Sequence, residues 1–265
     1  MKGVNVKWWS GLVVVLLAGC ASQPQKTAEE ITAEENGETL PGTALLYTIT
    51  EAGEAQSYTA RMFVNTRYLH TADSRAPMDY ILFDRKEKII YSVNADDQTV
   101  FEIHAKSITI APPIRIDYVE ESQPSSAVPK IQGRHAMHYR YTVNGERCYD
   151  AVVTPLDFLP EVREALMEFR LILAGEHAST LANTPHEMLD ACDLAVNIFD
   201  ATRHYAHGLP IREWGVDGYQ RFLKDYQGDV TLLQEVLSLP EGYQHYSLDN
   251  PLPVSEETRE TSVGS

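Results

Sequence analysis

The sequence predicts an α+β protein in which a curved antiparallel β-sheet packs against two α-helices. Short runs rich in β-branched and aromatic residues follow one another through the first half of the chain, separated by polar turns, as strands do. The gaps between several of them are too short for crossovers, so neighbours should pair as antiparallel hairpins. Two longer stretches with apolar residues at helical spacing come only after most of these strands.

The chain opens with Lys2 and Lys7, then a run from Trp8 to Gly19 of almost wholly apolar or small residues, then Cys20. A basic end and a short apolar core make a secretory signal. About a dozen residues is short of the roughly 20 that a helix needs to cross a bilayer. "LAGC", residues 17–20, resembles the bacterial lipobox, whose cysteine receives a diacylglyceryl group, becomes the first residue after cleavage and is acylated on its amine, palmitate being the expected acid. The resemblance implies a lipid anchor at Cys20. Two or more chains, at about 0.8 kcal/mol per buried methylene, hold a protein on a membrane stably. Ala21, where an Asp would signal inner-membrane retention in that family, implies the outer membrane and its periplasmic face.

Residues 20–42 then read as a flexible acidic tether, "ASQPQKTAEEITAEENGETLPG" after the cysteine, with few apolar residues and no periodicity. Roughly 20 such residues reach about 25 Å. A single domain is expected over 43–248, and residues 249–265 read as a disordered tail. Within the domain, strands are predicted at Ala44–Thr50, Ser57–Val64, Met78–Asp84, Lys88–Asn94 and Gln98–Ala105. Asn144-Gly145, between two further strand-like runs in "MHYRYTVNGERCYDAVV", is the strongest local signal for a tight hairpin. One helix is predicted from about Leu156 to Ala174, with Val162, Leu166, Phe169 and Leu173 along one face. A second is predicted from Thr184 to about Ala206, on a capping box of Thr184 and Glu187 with Pro185 at the first position. Its stripe of Met188, Cys192, Ala195, Phe199 and Thr202 should face the sheet. The pattern then returns to strands in "LPIREWG" and "YQRFLKDYQ", joined across Val216-Asp217-Gly218, and a short apolar segment from Val230 to Leu239 leads to the end of the domain.

Lysine and arginine number 22 against 38 acids, a formal charge of −16 that becomes −18 once the signal leaves with Lys2 and Lys7. Such a surface repels phosphate backbones, which excludes nucleic acid as a natural partner. Cys148 and Cys192 are the two cysteines of the mature body, and in an oxidising compartment an even pair is normally a structural disulfide. It would close a loop of about 45 residues, for which chain entropy gives roughly 4 kcal/mol. Two unpaired thiols and a redox pair are the alternatives, the latter without a CxxC to support it.

His135-x-x-His138 and His204-x-x-His207 have ligand-like spacing. In a strand the first pair points to opposite faces, and the second lies at a helix end, where such side chains commonly meet the last carbonyls. No metal and no cofactor are expected, and no catalytic residues are assigned, because G-x-S-x-G, H-E-x-x-H and phosphate-cradling glycine loops are all lacking. Tyr47, Tyr58, Tyr80, Tyr91, Phe101, Tyr139, Tyr141 and Tyr149 lie in strands. They either fill a core by cross-strand packing or line an apolar ligand groove that the helices close.

"YILFDRKEKIIYSVNADDQTVFEI", "GLPIREW" and the closing "LPEGY" resemble a domain-of-unknown-function group of bacterial envelope lipoproteins, over most of Ala44 to Leu248. A sheet with helices inside its curve is, more distantly, similar to the Lol lipoprotein-carrier fold, a half-barrel that holds acyl chains, although the helices fall late here. The resemblance implies a non-catalytic envelope protein that binds an apolar ligand, such as a lipid or acyl chain, or an envelope protein. A structural lipoprotein with a filled core is the alternative, and a hydrolase the third.

Overall fold

The computed structural model describes residues 38–252, apart from residue 182. The expected signal peptide, the anchor at Cys20, most of the tether and nearly all of the tail lie outside the described residues. Twelve strands form one open, mostly antiparallel sheet. In chain order they are β1 (Thr39–Thr50), β2 (Ser57–Val64), β3 (Tyr68–Asp73), β4 (Tyr80–Asp84), β5 (Ile89–Asn94), β6 (Thr99–His104), β7 (Tyr118–Pro124), β8 (Met137–Val143), β9 (Glu146–Val153), β10 (Pro210–Gly215), β11 (Gln220–Leu233) and β12 (Gln244–Tyr246). Their order across the sheet is β12-β6-β5-β4-β3-β2-β1-β11-β10-β9-β8-β7. Two meanders, β1 to β6 and β7 to β11, therefore meet where β1 pairs with β11, and only β12 runs parallel to its neighbour.

Local chemistry explains the turns. Asn144 and Gly145 both have positive φ, as a two-residue I′ hairpin between β8 and β9 requires. Asp84 Oδ1 accepts the amides of Lys86 and Glu87, and Asn94 Oδ1 accepts that of Asp97, the side-chain-to-backbone bonds that favour these residues in turns. Asn65 does the same for Arg67 and Tyr68 and starts β3, which the sequence reading passed over. β1 begins at Thr39, so the last residues assigned to the tether, Thr39–Gly42, are strand and pair with β11.

One helix, α1, spans Pro160–Leu181, longer at its C-terminal end than the sequence predicts. Pro160 at its start removes an amide that would have no helical partner. Val162, Ala165 and Leu166 pack on Leu45, Tyr47, Ala60, Val64, Leu69, Phe83 and Ile90, and this defines the inner face of the sheet. Gly175 lies where α1 passes the chain leaving β6, and a Cβ there would run into the Lys106 carbonyl. Arg85, 8% exposed, ties the β4–β5 turn to α1 by donating to the Asn65 carbonyl at 2.8 Å and to Glu168 at 3.0 Å. On the outer face, Phe63 and Leu82 are covered by Leu237, with Leu232 and Leu239 beside it.

The second predicted helix is not continuous. Residues 186–206 form a 3-10 turn at His186–Met188, a short α2 (Ala191–Leu194), a π turn at Ala195–Phe199 and a 3-10 turn at Arg203–Ala206. Asp190, not Thr184, caps α2 by accepting the Asp193 amide at 2.8 Å, and Met188, expected to face the sheet, is exposed. The Asp190 side chain, by accepting the Asp193 amide, starts a new helix there and interrupts any ladder running on from Thr184. Arg170 of α1 also captures the carbonyls of Val196 and Ala201, which a continuous helix would have used itself. Among the described residues no helix is long and apolar enough to cross a membrane.

Candidate functional site

Strand alternation puts Tyr47, Tyr149, Glu213 and Arg221 on the inner face, with the irregular segment 186–206 lying over them. Glu213 stands opposite Arg221 across the β10–β11 pair, and Arg221 stands opposite Ile49 across β11–β1. The Glu213 carboxylate lies 3.0 Å from His204 Nε2 and 3.3 Å from Arg221 Nη1. His204 Nδ1 is 3.2 Å from the Tyr149 hydroxyl, and the Arg221 guanidinium lies 4.0 Å over the Tyr47 ring. The side chains of His204, Glu213 and Arg221 are only 4%, 14% and 14% exposed.

Burial pushes the Glu213 carboxyl up, but the contact of His204 and the charges of Arg221, His204 and Arg170 outweigh it and hold it at about 2. Burial pushes Tyr149 and Tyr205 well up and Tyr219 up to about 12, so these phenols are hydrogen-bond donors at neutral pH. The Tyr47 hydroxyl, Arg221 Nη2 and His204 Nε2 are buried without an aligned hydrogen-bond partner, the last despite its 3.0 Å approach to Glu213.

Tyr149, His204, Glu213 and Arg221 form the floor of a cleft of about 450 Å³, lined also by Arg170, Val196, Val216 and Tyr219. Three exposed acids, Asp190, Asp193 and Asp217, line it as well. The predicted cysteine pair forms one wall: Cys148 of β9 and Cys192 of α2 are bridged, with Cα atoms 5.4 Å apart. The bridge thus pins the irregular segment to the sheet, the role expected for it, although its helix is four residues long. A second cleft of about 690 Å³ opens beside Ile49, Tyr58, Ala60 and Ile81, with Asp73 and Arg75 also in its lining. Arg75 lies 3.5 Å over the Tyr58 ring and pairs with Asp73 at 2.9 Å.

The other histidines go to separate places. His138 meets Asp150 at 2.7 Å on the outer face and stacks on Trp214. Asp150, fully buried, is also held by Arg140 at 3.3 Å and Arg147 at 2.5 Å. His207 stacks on Tyr139 and lies 3.0 Å from Glu120. No three His, Cys, Asp or Glu side chains among the described residues are grouped so as to hold a metal ion. The eight aromatic residues named above all lie in strands. Tyr139, Tyr141 and Tyr149 form a ladder, the last two with ring centroids 4.4 Å apart.

Sequence reasoning missed Arg170, Glu213 and Arg221, and read His204 as a helix-end partner. A faint signal existed in "LPIREWG": Glu213 interrupts an otherwise apolar alternation on a strand. Nothing local marks Arg221 as its partner.

No protein-family model matches the chain, and no curated protein matches it. Among solved structures it is similar to an uncharacterized conserved protein from Thermus thermophilus, with a TM-score of 0.39 and 7% identity over 78% of this chain and 90% of that one. It is also similar to PNGF-II in two crystal forms, with TM-scores of 0.36 and 0.35 and identities of 10% and 11%. The chain spans about a third of PNGF-II, 31% and 32% in the two forms. Likenesses of this size say nothing about the site.

Proposed function

We propose that the chain is a lipid-anchored protein of the bacterial envelope, held through Cys20 at the periplasmic face of the outer membrane, whose sheet acts as a half-barrel that binds a molecule with an apolar chain. The observation that carries this reading is the incomplete filling of the inner face. α1 packs on β1 to β5, yet clefts of about 690 and 450 Å³ remain open beside it, in the size range of small-molecule sites. A structural lipoprotein with a filled core would have no use for either.

A hydrolase is the second reading, favoured by the line Tyr149–His204–Glu213, in which a carboxylate lies 3.0 Å from a histidine nitrogen, the residue types of a catalytic relay. The charged cleft has no serine, threonine or free cysteine in its described lining, and burial keeps Tyr149 protonated. Binding without covalent chemistry is therefore preferred.

The test is native mass spectrometry of the full chain carrying Cys20→Ala, exported and purified without detergent. A discrete added mass that resolves to a lipid supports the binding reading. A bare mass that stays bare when lipids are offered removes it and turns attention to protein partners. Hydrolysis of an ester panel that disappears in His204→Gln would install the second reading instead.

A further inference from the structure

We infer that the open part of the inner face takes an amphiphile with an anionic head, the head lying against Arg170 and Arg221 and the apolar chain running into the cleft beside Ile49. This rests on the binding reading above and names the chemistry of its ligand.

The two clefts share no lining residue but open on neighbouring strands of the inner face. Ile49 lines one and Arg221 the other, and they are register partners on β1 and β11, which places their backbones roughly 5 Å apart. Their chemistry differs across that short step. Ile49, Tyr58, Ala60 and Ile81 offer aliphatic and aromatic surface, from which a chain would displace water at about 25 cal/mol per Å². Of the charged residues lining that cleft, Asp73 and Arg75 pair with each other at 2.9 Å and Asp79 accepts the Ala95 amide at the rim.

The floor of the charged cleft is not balanced in the same way. Glu213 is shared between His204 and Arg221. Arg170, the second guanidinium, spends its hydrogen bonds on the carbonyls of Val196 and Ala201, and among the described residues no carboxylate lies within ion-pair distance of it. Two guanidiniums against one carboxylate leave a positive charge in excess, where low dielectric magnifies its field. Planar guanidinium groups suit carboxylate and phosphate oxygens. The acids at the mouth do not cancel this excess at short range. Asp190 caps α2, Asp193 accepts the Asn197 amide, Asp217 accepts the Tyr219 amide, and all three are exposed to water and salt, which screen them. In an acidic chain, a cationic floor beside an apolar cleft selects the end of the ligand that enters.

The experiment uses the full chain with Cys20→Ala and measures binding of palmitate, hexadecanol, hexadecyl phosphate and acetate, each below its aggregation range. Palmitate or hexadecyl phosphate, or both, should bind at least tenfold more tightly than hexadecanol, and acetate should not bind measurably. The better of the two anions identifies the head. Arg170→Gln should narrow the preference to under threefold. Arg170→Lys, which keeps the charge, should retain most of the preference and controls for loosening of the segment that Arg170 holds. Hexadecanol binding as tightly as the anions overturns the inference and leaves the binding reading standing. A preference for anions that survives Arg170→Gln unchanged also overturns it, because the head then lies elsewhere. Failure of every long-chain ligand to bind removes the binding reading itself.

Discussion

Glu213 links protonation to folding. Its carboxyl is held at about 2 against an ordinary value of 4.5, so the folded chain binds that proton less readily than the unfolded one. The stability this supplies is fully present above about pH 4.5 and is lost as pH falls toward 2, by linkage. Between pH 6 and pH 3 the loss should be about 2 kcal/mol. Urea unfolding at both pH values will check it, since Glu213→Gln should lack this component of acid sensitivity. At neutral pH the same variant leaves Arg221 buried without a counter-charge and should cost about 3 kcal/mol. Asp150 on the outer face presents a simpler case. It is completely buried among His138, Arg140 and Arg147, and Asp150→Asn should cost about 2 to 3 kcal/mol, toward the low end for a buried pair because its partners reach water.

At the scale of elements, α1 and the segment after it behave in opposite ways. Alanine normally stabilises a helix interior relative to glycine by about 1 kcal/mol. Gly175→Ala should reverse that sign and destabilise by about 1 to 3 kcal/mol, the usual cost of overpacking, because the new methyl meets the Lys106 carbonyl. Removing the Cys148–Cys192 bridge by a double alanine substitution should cost about 2 to 4 kcal/mol. The accompanying rise in amide exchange should be confined to residues 186–206 and the β8–β9 turn. Apolar spacing made α1 legible, because its packing partners sit at regular intervals along one face. The same spacing in 184–206 misled. Met188, Cys192, Ala195, Phe199 and Thr202 make a helical stripe on paper, but Arg170, Asp190 and the bridge to Cys148 act on the backbone from outside the segment. β3 and β7 escaped for a related reason: His70, Thr71, Glu120 and Glu121 dilute the apolar alternation that marks a strand.

For the whole molecule, the seam between the two meanders is the informative feature. β1 pairs with β11 over nearly its whole length and with β2 on its other side, so the N-terminal and C-terminal parts of the domain are joined through their longest strands. The slowest amide exchange should fall in β1 and the β11 residues opposite it, and exchange that is slowest in α1 instead would contradict this. The same seam explains why the candidate site was hidden in the sequence. Arg170, His204, Glu213 and Arg221 come from α1, a 3-10 turn and two strands, and only the register of β10 on β11 brings Glu213 opposite Arg221. Hairpin turns announce themselves through a few adjacent residues, whereas charges paired across strands carry no such mark.

The two outer margins of the sheet bear on how the protein behaves in company. An open sheet of this width ends in rows of unpaired amides and carbonyls that could recruit another copy. Here one margin is closed by the three residues of β12 laid along β6, with His245 meeting Glu102 at 2.6 Å. The other is β7, where Glu121 is exposed and Pro124 offers no amide at the strand end. If these molecules are concentrated side by side on a membrane, β12 shortens the bare strand at one margin, and the exposed acid and the proline of β7 disfavour edge-to-edge polymerisation at the other. Crowding on the surface should therefore leave them as separate bodies, each with its clefts open.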